Sequence, residues 1–151
     1  IESTVVDCTS DVPVLLRAGS VSLEQLRSVI PETRALQTDL SEPARSPGLL
    51  HRHYSPAAKV VLVEGSEIFD LKFEISDDGS PRSSFIGLRR PDANFELVKQ
   101  CDSINDYAHS LFEFFRDCDR RGIETIYCES VDDSGIGAAL MDRLRRAAEA
   151  L

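Results

Sequence analysis

The sequence predicts an α/β fold, three layers around a mainly parallel sheet, and three observations carry that expectation. From Lys59 onward, strand-like and helix-like segments alternate, the order that favours parallel pairing with helical crossovers. Lys59-Val60-Val61-Leu62-Val63 is a short apolar run of the kind buried on both faces. The segment after Ser103 repeats apolar residues every three to four positions, as one buried helix face requires.

Taken in order, Ser3-Thr4-Val5-Val6-Asp7-Cys8 and Pro13-Val14-Leu15-Leu16-Arg17 read as two short strands separated by turn residues. Ser22-Leu23-Glu24-Gln25 opens a short helix, with Ser22 and Gln25 spaced for a reciprocal capping box, and Pro31 ends it. Two strands and a short helix cannot bury a core alone, so residues 1–30 are expected to be the tail of a larger unit. Residues 31–58 hold four of the seven prolines and three acids against three bases. They read as an extended interdomain linker, although Ser46-Pro47-Gly48-Leu49-Leu50-His51-Arg52-His53-Tyr54-Ser55-Pro56 is too aromatic and basic for a passive spacer.

Residues 59–151 form the α/β unit. Beyond the Lys59–Val63 strand, residues 67–75 read as extended, and Phe85-Ile86-Gly87-Leu88 and Glu96–Gln100 as strands. The long helix is expected to bury Ile104, Tyr107, Ala108, Leu111, Phe112, Phe115 and Cys118 and to stop at Gly122. Thr125–Cys128 is a strand, and a last helix over 135–150 is expected to pack through Ile136, Leu140, Leu144 and Ala147.

The composition is that of a globular protein, 42% apolar and 28% charged, in 151 residues. No apolar run approaches the roughly 18 residues of a membrane span. The net charge is −9, of which −7 falls after the linker (12 basic against 19 acidic residues), a surface that disfavours tight direct binding to nucleic acid. Cys8, Cys101, Cys118 and Cys128 lie far apart and read as free thiols of a reducing cytoplasm.

Few residues suggest chemistry by spacing. Ser134-Gly135-Ile136-Gly137 could cradle phosphate at a helix start or simply let helix and sheet pack closely. His51 and His53 lack the remaining ligands of a zinc shell, so no metal site is expected. Ser3 and Thr4 can hydrogen-bond a polar ligand, and Arg17 can fork onto phosphate oxygens or remain a solvated side chain.

Ser3-Thr4-Val5-Val6-Asp7, then Leu16-Arg17-Ala18-Gly19, then Ser46-Pro47-Gly48 with Arg52-His53-Tyr54-Ser55-Pro56, resemble the landmarks of the two-domain L-threonylcarbamoyladenylate synthases. Tyr107-Ala108-x-x-Leu111-Phe112, Arg116-x-x-Asp119 and the Gly135–Ala148 stretch are similar to that family's last two helices. Ala18 stands where the family has proline and Asp142 where asparagine is common.

The resemblance implies the C-terminal strands of a YrdC-type synthase domain (1–30), a lid-like linker (31–58) and a Rossmann-like accessory domain (59–151). It implies an enzyme that condenses L-threonine, bicarbonate and ATP, with Mg2+, into threonylcarbamoyl-AMP and pyrophosphate. A separate machinery then transfers the threonylcarbamoyl group to tRNA adenosine. Ser3 would contact L-threonine, while Arg17 and Tyr54 would contact ATP. Because the triphosphate motif and most of the cleft would lie upstream of Ser3, these residues alone are expected to be inactive. The alternatives are a non-catalytic α/β interaction module and a nucleotide-binding module built on Gly135 and Gly137.

Overall fold

The computed structural model describes residues 1, 3–36, 55–68 and 82–149. These divide between two compact units, Ile1–His53 with Asp132–Asp142, and Tyr54–Val131 with Arg143–Leu151.

In the first unit, β1 (Val5–Asp7) pairs antiparallel with β2 (Val14–Arg17), and β2 pairs parallel with the two-residue β3 (Arg34–Ala35). The short strand after Pro31 continues the extended geometry expected of that segment. Between β2 and β3 lies α1 (Leu23–Val29), and its capping box is formed as the sequence predicts. The Gln25 amide donates to Ser22 Oγ at 3.3 Å, and the Ser22 amide donates to Gln25 Oε1 at 2.8 Å. No residue of α1 is buried, so these caps and the Arg27 Nε bond to the Thr33 carbonyl (2.9 Å) matter more than packing.

The second unit is built on an all-parallel sheet in the order β4-β7-β5-β6 among the described residues: Lys59–Val63, Thr125–Glu129, Ser83–Gly87 and Leu97–Gln100. The fold class is thus the α/β class expected, with helices flanking a parallel sheet. β5 is buried at every position because it lies inside the sheet, whereas β6 alternates between half-buried and exposed at an edge.

Strand alternation sorts the sheet into two faces. Toward α2 (Ile104–Arg121) point Ser84 and Ile86: Ser84 Oγ lies 3.2 Å from Cys118 Sγ, and Tyr107 Oη donates to the Ile86 and Glu129 carbonyls at 3.1 and 3.2 Å. Phe85 alternates with them. It clusters with Val63 and Ile68, and Val61, Phe95 and Tyr127 pack against that cluster.

Helix α2 begins with the Ser103 side chain accepting from the Asp106 amide and ends at Gly122, whose φ of 67° only glycine adopts without strain. Its buried face includes Phe114, with Phe112 only half-buried, so the stripe is rotated slightly from the one expected. Helix α3 (Ile136–Ala148) buries Ala139 and Met141 besides Leu140, Leu144 and Ala147, while Ile136 is half-buried at its first turn. Glu67 turns back rather than extending, its amide donating to the Glu64 carbonyl at 2.9 Å; residues 69–75 of that expected strand lie outside the described residues.

Candidate functional site

Two of the three residues singled out for ligand contact are brought together. β1 and β2 pair with Val5 opposite Arg17, which sets Ser3, just before β1, within reach of the arginine. Arg17 Nε donates to the Ser3 carbonyl at 3.1 Å and Nη2 donates to Ser3 Oγ at 3.3 Å. Ser3 is exposed and Arg17 half-buried, so the pair is accessible to a ligand.

Thr4 fixes the backbone beside them. Its Oγ1 donates to the Val21 carbonyl at 2.8 Å and accepts from the Val21 amide at 2.9 Å, fastening the start of β1 to the residue before the α1 cap. A hydroxyl that bonds both ways to one peptide leaves little freedom for rotation of that segment. Tyr54, the third residue, lies outside the described residues, as do His51, Arg52 and His53. The chain just after it is anchored: the Ala57 amide donates to Asp119 Oδ1 at 2.9 Å, near the end of α2.

The glycine turn before α3 has Gly135 at φ 55° and the Gly137 amide bonded to the Ser134 carbonyl at 2.9 Å. The Glu24 carboxyl is held below the usual carboxylate range, first by the Ser22 hydroxyl and also by its own amide, Arg27 and the Gly135 amide. A carboxylate of the chain therefore faces the amide that an incoming phosphate would use. All four cysteines are free, three of them buried. No group of three His, Cys, Asp or Glu side chains that could hold a metal occurs among the described residues.

Sequence reasoning missed one polar cluster. Glu129, at the end of β7, is buried, and its Oε2 accepts from the Leu88 and Arg89 amides at 2.6 and 2.9 Å. Gly87 makes this possible, since a Cβ there would lie 2.6 Å from the Glu129 Cβ. An acid closing a strand usually reads as solvent-facing, and only the glycine in an otherwise bulky strand marks the close approach.

The model of a single known family, described as the C-terminal domain of threonylcarbamoyl-AMP synthase, matches residues 21–149. The chain belongs to the threonylcarbamoyl-AMP synthase family. It is 37% identical over 156 residues to the threonylcarbamoyl-AMP synthase of Pyrococcus abyssi, covering 97% of this chain and 45% of that protein. The enzymes of that name from Bacillus subtilis and Schizosaccharomyces pombe are 32% and 29% identical, with 98% of this chain covered in each case and 45% and 42% of theirs. The chain thus spans less than half the length of these family members. A crystal structure of P. abyssi Sua5 complexed with L-threonine superposes with a TM-score of 0.81 at 33% identity, over 98% of this chain and 46% of that one. No helix among the described residues is long and apolar enough to cross a membrane.

Proposed function

We propose that this chain is the part of a threonylcarbamoyl-AMP synthase that presents Ser3 and Arg17 to the substrates, and that the complete protein makes threonylcarbamoyl-AMP. The contact between Arg17 and Ser3 carries this reading, because it places a guanidinium fork and a small hydroxyl side by side at one strand pair. In the complete enzyme, L-threonine and bicarbonate give a carbamate whose oxygen attacks the α-phosphorus of ATP. The new P–O bond forms as the bond to pyrophosphate breaks, which makes the enzyme a nucleotidyltransferase. Arg17 offsets charge on the phosphate oxygens, Ser3 hydrogen-bonds L-threonine, and Tyr54 closes the linker over the nucleotide so that water is kept from the mixed anhydride.

The division into a synthase tail, residues 1–30, a linker, 31–58, and an accessory α/β domain, 59–151, belongs to the same reading. So do a cytoplasmic location, independence from direct tRNA binding, and hand-over of the product to a separate transfer machinery. The magnesium that accompanies ATP finds no protein shell among the described residues. The Glu24 carboxyl facing Gly135 argues for this reading over an independent nucleotide site on the glycine turn.

The test is pyrophosphate release dependent on ATP and L-threonine, measured on the 151-residue chain and on a protein of the relatives' full length. Release from the longer protein alone is expected. Robust turnover by the 151 residues would show that the remaining half is not needed.

A further inference from the structure

The ends of β4, β5 and β7 converge on a side chain that the synthase reading leaves unused. Arg89 follows β5, and its Nη1 lies 3.6 Å from Oε1 of Glu129, whose side chain is only 3% exposed. The guanidinium occupies the space above Gly65, just beyond β4, where any Cβ would collide with it. Glu129 cannot swing away, because its other oxygen is taken by the Leu88 and Arg89 amides. Glu67, in the same turn as Gly65, has its Oε2 occupied by the Glu64 amide at 3.1 Å.

One nitrogen of Arg89 is therefore held against a buried charge, while the side chain as a whole stays 55% exposed. Among the described residues, Nε and Nη2 have no partner. An arginine fixed at one corner with its outer donors open loses little freedom on binding, and those donors match the two oxygens of a carboxylate or phosphate. Arg90, exposed beside it, adds a second positive charge. The position also suits a ligand, since open parallel sheets bind small molecules beyond the carboxyl ends of their strands.

We propose that Arg89, held by Glu129 over Gly65, binds the oxyanion group of a small soluble molecule, a carboxylate or a phosphate. The inference does not depend on the roles of Ser3, Arg17 or Tyr54. It is tested by titrating the isotope-labelled 151-residue chain with sodium acetate, with inorganic phosphate, and with sodium chloride at matched ionic strength. The readout is the NMR signals of the Arg89 Nε–H and of the Leu88 and Arg89 amides.

Acetate or phosphate is expected to give a saturable shift that chloride does not, and the one saturating at lower concentration identifies the group. Arg89→Gln should weaken that binding about tenfold or more. Gly65→Ala, which keeps the arginine but fills the space it uses, should do the same, and it decides the matter if Arg89→Gln does not fold. Equal shifts with chloride, no saturable shift with either anion, or binding that survives in both folded variants would overturn the proposal and leave Arg89 as a clasp between strands.

Discussion

Glu129 illustrates how much one side chain can hold in place. Its carboxylate joins β7 to the turn after β5 through two amide bonds and a partly exposed arginine. Glu129→Gln keeps the shape but gives up the charge and offers an NH2 where acceptors are needed, so a loss of about 1–3 kcal/mol is expected in urea unfolding. Burial pushes the thiols of Cys101 and Cys118 up to about 11 from 9.0, so the folded chain resists their ionisation. For groups raised on folding, stability is complete below the unfolded value and is lost as pH rises toward the folded one. The urea midpoint should thus hold steady up to about pH 9 and fall between pH 9 and 11, and Cys118→Ser should blunt the fall. None of these roles was legible in the sequence, because a buried acid or thiol differs from an exposed one only by neighbours distant in the chain.

The elements themselves were largely legible. The capping box at Ser22, the glycine stop at Gly122 and the three-to-four stripe of α2 are local signals, and each appears where the local chemistry places it. What local chemistry could not give was the pairing: β7 comes after both β5 and β6 in the chain yet inserts between β4 and β5. That choice is set by burial of Ile126 and Cys128 across from Ser84 and Ile86, a property of the assembled sheet. Gly122→Ala meets no atom within 4 Å, so its expected cost is only that of forcing a left-handed conformation, about 1–2 kcal/mol in chemical denaturation. Asp119 ties the residue three positions after Tyr54 to α2. If the linker acts as a lid, Asp119→Ala in the full-length protein should raise the KM for ATP several-fold while the melting temperature moves by only a degree or two, an effect of one exposed hydrogen bond.

For the whole molecule, the family was legible because its landmarks are spread along the chain, from Ser3 to the turn before α3. The pairing of Ser3 with Arg17 follows from the antiparallel register of β1 and β2, which fourteen residues of separation do not reveal by themselves. Net charge adds a consistent constraint: at −9, the chain suits a small activated substrate better than a nucleic-acid backbone. The account's central claim is that this strand pair serves the substrates of a synthase. The most direct measurement is pyrophosphate release by the full-length protein carrying Arg17→Ala, at saturating L-threonine and varied ATP. The account expects kcat/KM for ATP to fall about tenfold or more, with thermal unfolding unchanged. Wild-type kinetics from a folded Arg17→Ala protein would contradict it.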